Sequence, residues 1–110
     1  MTDVSATALL HVTSIEAWDA AQRSGLHDPP MLAQDGFLHL CTAAQLAYVL
    51  GKHFAGRTGL TLLHIDASKL DDLRWEISEP GRDAFPHLYG PLPVEAVIRA
   101  EVIGAEPVQP

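Results

Sequence analysis

Residues 36–45 read GFLHLCTAAQ, and this stretch decides the fold that we expect for the chain. Residues 37–41 (FLHLC) form a short apolar run with the length of a buried strand. Thr42 and Gln45 follow with the spacing of a capping box, in which each side chain satisfies a free backbone amide of the first helical turn. The sequence therefore predicts a strand that leads directly into a capped helix, whose apolar stripe lies within residues 46–50.

An equivalent pattern, ALLHVTSIE, occurs nearer the N-terminus. Residues 8–12 predict a strand, and Thr13 and Glu16 have the spacing of a second capping box. The helix that follows is expected over residues 14–24, because Gly25 is a natural helix stop. Strand, cap and helix thus occur twice, each time with a histidine inside the strand.

Further strands are expected in the second half of the chain. Residues 60–66 (LTLLHID) and 73–77 (LRWEI) predict short strands, and residues 94–103 (VEAVIRAEVI) alternate apolar and polar side chains along a longer one. Residues 85–93 (FPHLYGPLP) contain three prolines and predict a stiff, irregular loop. Helices early in the chain and strands later predict the α+β class.

The composition fits one globular domain: the chain has 110 residues, of which 47% are hydrophobic and 19% are charged. We expect its core over about residues 8–103 and a frayed tail over residues 104–110. The net charge is −7 and the seven bases are scattered, which argues against binding to duplex nucleic acid. The sequence shows neither a signal peptide nor a membrane-spanning run, so we expect a cytoplasmic protein.

The six histidines are the unusual feature of the composition. His11, His39 and His64 lie in predicted strands, where each is either a hydrogen-bonded core residue or a proton carrier of a site. His27 and His53 look like loop and helix-end residues without a special role. No local histidine pair has the spacing of a zinc motif, so no metal is predicted, and a site built from distant histidines stays an alternative.

Three other side chains leave alternatives open. Cys41 is either a packing residue or a nucleophile beside His39. Glu76 is either a surface carboxylate or a residue that faces a cleft, as a base or as an acceptor for a ribose hydroxyl. Tyr89 lies in the proline-rich segment and either helps to form the wall of a site or plugs one end of the sheet.

Five blocks of the sequence together resemble the DUF952 family of small bacterial proteins, which has no established activity. The blocks are LHVT (residues 10–13), GFLHLCTAAQ (36–45), LTLLHID (60–66), RWE (74–76) and FPHLYGPL (85–92). The resemblance covers about residues 9–102. It implies a single domain related to the ADP-ribosyltransferase fold, with a split, mostly antiparallel sheet and two helices in the N-terminal half.

The resemblance also implies a histidine-lined pocket for NAD or a related ribosyl nucleotide, with NAD as a candidate substrate and no resident cofactor certain. The residues that it implies as catalytic are His11, His39, Glu76 and His87, with Glu76 and His87 as alternatives for one role. The residues that it implies as ligand-binding are Thr13, Thr42, Tyr89, Lys52 and Arg57.

Two departures from the ADP-ribosyltransferase pattern stand out. Val12 occupies a position where those enzymes usually have glycine, and the chain has no E-x-E motif. Two other functions therefore remain alternatives: a non-catalytic module that binds a small ligand on the same fold, and a metal-dependent hydrolase built on the histidines.

Overall fold

The computed structural model describes residues 8–77 and 80–103. The strands in these ranges are β1 (Ala8–Ser14), β2 (Leu26–His27), β3 (Leu38–His39), β4 (Leu60–Asp66), β5 (Leu73–Glu76), β6 (Phe85–Leu88), β7 (Leu92–Pro93) and β8 (Val97–Ile103). The helices are α1 (Ile15–Ser24), α2 (Pro30–Asp35) and α3 (Leu46–His53), and short 3₁₀ turns occur at Ala43–Gln45, Ala67–Lys69 and Val94–Ala96. The predicted tail at residues 104–110 lies outside the described residues.

Within the described ranges the strands form three antiparallel sheets, in the orders β1-β4-β8, β2-β7 and β3-β6-β5. The segment that follows β3 joins the first sheet to the third. There the backbones of Leu10 and Cys41 exchange two hydrogen bonds of 2.8 Å each. The predicted α+β class with antiparallel sheets is therefore confirmed.

The central strand β4 is buried on both faces of its sheet. On one face Leu63 and Ile65 pack with Trp18 of α1, and on the other Leu60 and Leu62 pack with the apolar side of α3. Two layers of helix thus cover β1 and β4, which fixes the backbone of the strand that carries His11.

The start of α1 differs by one residue from the prediction. The cap is Ser14, whose Oγ accepts a hydrogen bond of 3.0 Å from the backbone N–H of Ala17. The capping box predicted for Thr13 and Glu16 is wrong, because β1 continues through Ser14 and keeps residue 13 in the strand. The stop at Gly25 is confirmed, since this residue adopts a φ of 90° that favours glycine.

The second capping box is confirmed. The Thr42 hydroxyl accepts a hydrogen bond of 3.3 Å from the backbone N–H of Gln45, and the Gln45 side chain accepts one of 3.0 Å from the N–H of Thr42. The strand predicted over residues 37–41 is shorter than expected. It forms β3 over two residues and then bridges to β1 through Cys41.

The segment predicted as a loop at residues 85–93 contains β6, the middle strand of the third sheet, so that prediction is wrong in part. Pro86 lacks an N–H, but its carbonyl accepts a hydrogen bond of 3.0 Å from Leu40. Only His87 and Leu88 of β6 pair with β3. The ladder between β3 and β6 therefore does not require a backbone N–H from Pro86.

The strand predicted over residues 94–103 begins instead with a 3₁₀ turn and continues as β8, the edge strand beside β4. The shared apolar face predicted for it is exposed at Ile98 and Val102, which are 53% and 67% accessible. No helix in the described ranges is both long and apolar enough to cross a membrane.

Candidate functional site

Histidines from three strands meet beside α3. His39 of β3 and His87 of β6 are register partners, and their ring centroids lie 5.5 Å apart in an edge-to-face arrangement. His11 of β1 reaches the same place, because its Nδ1 lies 2.8 Å from the carbonyl oxygen of His39. The sheet pairing thus brings together three histidines that the sequence analysis assigned to one site.

Two adjoining cavities open at these histidines in the described part of the chain. The larger has a volume of about 490 Å³ and the smaller about 210 Å³, and His39, Val49 and His53 line both. His11 lines the larger cavity and His87 lines the smaller. The two cavities therefore share one wall, and we describe them together as one cleft of two compartments with His39 between them.

An acidic partner holds the His39 ring. Its Nε2 lies 2.9 Å from Oδ2 of Asp35, at the last position of α2, and both side chains are about 40% exposed. Asp35 also lines the larger compartment. A carboxylate and an imidazole in contact are thus presented together on the wall of the cleft.

A second carboxylate holds His87 from behind. Oε1 of Glu76 lies 2.9 Å from Nδ1 of His87 and accepts a hydrogen bond of 2.6 Å from the Tyr89 hydroxyl. These two hydrogen bonds lower the pKa of the Glu76 carboxyl, and the bond to Glu76 raises the pKa of Tyr89. The ring of Phe37 stacks on His87 at 4.0 Å between centroids. His87 lines the smaller compartment, whereas Glu76 lines neither. Glu76 therefore supports the His87 ring from the side that faces away from the cleft.

His11 is held inside the wall. Its Nδ1 is bonded to the His39 carbonyl, and its Nε2 lies 3.2 Å from Nε2 of His27. Burial, followed by the neighbouring His27, lowers the pKa of His11 to about 4. Both ring nitrogens are engaged, so His11 positions the backbone of His39 rather than offering a nitrogen to a ligand.

Sequence reasoning missed two histidines. His27 is only 1% exposed and is the core partner of His11, although it looked like a loop residue. No local signal identifies it, since it belongs to a two-residue strand that pairs with β7. His53 lines both compartments, and burial, Lys52 and His39 lower its pKa. In the sequence, the position of His53 beside Lys52 at the end of the predicted helix could have indicated that it belongs to the site.

The predicted ligand-binding residues divide into two groups. Thr13 and Arg57 line the larger compartment, and Lys52 lines the smaller. Thr42 and Tyr89 lie outside both walls. Thr42 uses its hydroxyl in the capping box, and Tyr89 uses its hydroxyl to hold Glu76, so both support the site from outside it.

The thiol of Cys41 is a packing group. Cys41 is 2% exposed at the wall of the larger compartment, and burial raises its pKa to about 11. A thiol with such a pKa carries almost no thiolate near neutral pH, so the structure does not support the nucleophile alternative. Among the described residues, no three His, Cys, Asp or Glu side chains form a group that could hold a metal ion.

The remaining strand histidine lies away from the cleft. His64 of β4 forms a hydrogen bond of 2.7 Å with Glu101, and Arg99 lies beside both. Of the two alternatives that the sequence left open for His64, the structure thus supports the hydrogen-bonded strand residue.

This two-compartment α+β domain belongs to the DUF952 family, described as a protein family of unknown function, whose model matches residues 12–100. Protein CC0527 from Caulobacter crescentus has a similar crystal structure, with 36% identity and a TM-score of 0.82 over 93% of this chain and 92% of that one. Its solution NMR structure is also similar, with 37% identity and a TM-score of 0.77 over 93% of this chain and 90% of that one. Among curated proteins none matches the chain.

Proposed function

We propose that the cleft binds a ribosyl nucleotide, with NAD as the first candidate. The observation that supports this most strongly is a pair of carboxylate-held imidazoles, His39 with Asp35 and His87 with Glu76, whose rings meet 5.5 Å apart on the cleft wall. The larger compartment alone, at about 490 Å³, falls within the roughly 300–1,000 Å³ typical of small-molecule sites.

The carboxylates give the two imidazoles defined orientations. A carboxylate that accepts a hydrogen bond from one ring nitrogen places the proton on that nitrogen and fixes the ring plane. Glu76 acts in this way on Nδ1 of His87, and Asp35 acts on Nε2 of His39. Oriented imidazoles suit the hydroxyl groups of a ribose, which both donate and accept hydrogen bonds.

The same residues can support transfer of the ribosyl group. When the bond between ribose and nicotinamide breaks, positive charge develops on the ribose, and a fixed carboxylate stabilises that charge. Asp35 lines the larger compartment and takes the place that sequence reasoning gave to Glu76. The relation to the ADP-ribosyltransferase fold that the family resemblance implies favours the same reaction class by analogy.

Calorimetric titration with NAD and with ADP-ribose tests the binding proposal. We expect saturable heat with the intact protein and its loss in His39→Ala and in His87→Ala. His64→Ala is the matched control, because His64 bonds to Glu101 on another part of the molecule. Absence of heat with the intact protein, or equal loss in the control, contradicts the proposal, and circular dichroism of each variant verifies its fold.

One observation favours a second candidate, a binding module on the same fold without transfer. In ADP-ribosyltransferases a first-strand residue holds the ribose, but the residue at that position here, His11, has both ring nitrogens engaged in the core. Release of nicotinamide from NAD, followed by chromatography, separates the two candidates. Binding without release supports the module, and release that depends on Asp35 supports transfer.

A further inference from the structure

The strand β5 lies at an edge of the third sheet. On its inner side it pairs with β6 in an uninterrupted register from Leu73 to Glu76, and no described residue pairs with its outer side. The backbone N–H and C=O groups on that outer side can therefore receive another strand.

Two large apolar side chains of this edge face solvent. Trp75 is 53% exposed, and Ile77, the residue after β5, is 66% exposed. Because side chains alternate along a strand, Leu73 and Trp75 share one face, and Ile77 continues their spacing. A half-exposed tryptophan in a row of apolar side chains is typical of an interface anchor, since its burial removes a large apolar area from water.

The sequence of this edge is complementary to itself. When two copies of the strand run antiparallel about a twofold axis at Trp75, Arg74 lies opposite Glu76 and Leu73 lies opposite Ile77. Opposite charges then meet on one face of the paired strands. Apolar side chains meet on the other face, with the two copies of Trp75 facing each other at the centre.

The neighbouring registers lack this match. Directly opposite residues must share a face of the sheet, so the axis can move only from one residue to the next. An axis at Arg74 places two guanidinium groups opposite each other and Glu76 opposite Asp72, and an axis at Glu76 places two carboxylates opposite each other. Like charges in these positions destabilise a strand pair, so the charges select the axis at Trp75.

The edge strand β8 is less suited to such pairing. It also carries exposed apolar side chains, but its register with β4 shifts between His64 and Ile65. An irregularity of this kind twists an edge strand and disfavours its pairing with another chain. The regular edge at β5 is therefore the better template for a second strand.

We propose that the protein forms a twofold dimer in which the outer edges of the two β5 strands pair antiparallel, with Trp75 at the centre. The pairing joins two three-stranded sheets into one continuous sheet. The proposal does not depend on the nucleotide function, because Trp75 lines neither compartment of the cleft. It places Arg74 of the second copy opposite Glu76, the carboxylate that holds His87.

Sedimentation equilibrium of the intact chain measures the association. We expect the mass to approach twice that of the single chain as the concentration rises. Trp75→Ser removes the central anchor and should weaken the association about thirtyfold. Val102→Ser is the matched control, because it removes an exposed apolar side chain from the other edge strand, β8, and should leave the association unchanged.

A charge exchange tests the register. Arg74→Glu alone and Glu76→Arg alone place like charges opposite each other, so each variant should remain monomeric where the intact protein is a dimer. An equimolar mixture of the two variants places opposite charges at both positions and should associate again. Both variants keep a net negative charge, so a general attraction between them does not explain this recovery.

Three results would overturn the proposal. They are an intact protein that stays monomeric at every concentration, an association that Val102→Ser weakens as much as Trp75→Ser does, and a mixture of the two charge variants that stays monomeric. Circular dichroism verifies that each variant is folded, and the failure of NAD to bind would leave the dimer proposal unaffected.

Discussion

The imidazoles of His11 and His27 meet in the core with their Nε2 atoms 3.2 Å apart. Nδ1 of His11 donates to the carbonyl of His39, so in the neutral ring Nε2 of His11 is an acceptor and Nε2 of His27 is the donor. One chain of hydrogen bonds therefore runs from β2 through β1 to β3. It sets the backbone position of the histidine at the junction of the cleft.

Replacing His11 tests whether this chain stabilises the fold. His11→Ala removes a buried ring and leaves the donor of His27 and the carbonyl of His39 without their partner, so we expect a loss of about 3 kcal/mol in the free energy of unfolding. Urea denaturation measures the change. His64→Ala removes a partly exposed ring and should cost less than about 1 kcal/mol. Equal losses in the two variants would show that the buried pair has no special role.

The buried pair should also make the protein sensitive to mild acid. The pKa of His11 falls from 6.5 to about 4 on folding, chiefly through burial, and burial lowers the pKa of His27 as well. Between these values the unfolded chain binds more protons than the folded one, so stability is full above pH 6.5 and declines as the pH falls toward 4. For His11 alone the loss is of the order of 3 kcal/mol.

The pH range in which stability is lost distinguishes the contribution of the histidines from that of the carboxylates. Glu76, whose pKa is lowered in the folded state, contributes stability that is present above its unfolded value of 4.5 and is lost only below it. Loss of stability between pH 6.5 and 4.5 therefore belongs to His11 and His27, with a smaller part from His53. Denaturation curves at several pH values measure it. An unfolding free energy that stays constant across this window would contradict the buried neutral pair.

Cys41 should resist alkylation in the folded protein. Its thiol is buried and its pKa is raised to about 11, so both access and thiolate content are low. Iodoacetamide at pH 8 should label Cys41 slowly in buffer and rapidly in urea, as measured by mass spectrometry. Rapid labelling of the folded protein would instead favour the nucleophile alternative.

Thr42 separates a capping role from a ligand-binding role. Thr42→Ala removes the acceptor for the Gln45 amide and should cost about 1 kcal/mol of stability. Thr42→Ser keeps the hydroxyl and should retain most of it. Both variants should bind ADP-ribose as the intact protein does. A loss of binding in Thr42→Ala without a loss of stability would show instead that Thr42 binds the ligand.

The elements that local sequence determines could be predicted. Residues 60–66 form β4 as expected, because an apolar run rich in leucine and isoleucine suits a buried central strand. Thr42 and Gln45 formed their capping box, since it depends on contacts within one turn. β6 was missed because the prolines of its segment indicate a loop, and only its neighbours β3 and β5 supply the pairing that makes it a strand.

The membership of the candidate site was predictable only in part, and its arrangement was not. His39 and His87 could be assigned to one place, and the sheet register brings them together. The engagement of His11 with His27 depends on a two-residue strand that no local pattern signals. Likewise, the position of Glu76 behind His87 follows from the pairing of β5 with β6, a relation between distant residues.

The bridge between Leu10 and Cys41 has a mechanical consequence. The first and third sheets meet there through two backbone hydrogen bonds, while the cleft takes its walls from both sheets. The bridge therefore ties together the two sheets that form the walls of the cleft. A ligand bound in the cleft would contact both sheets at once, so it would stabilise the folded domain by RT ln(1 + [L]/Kd).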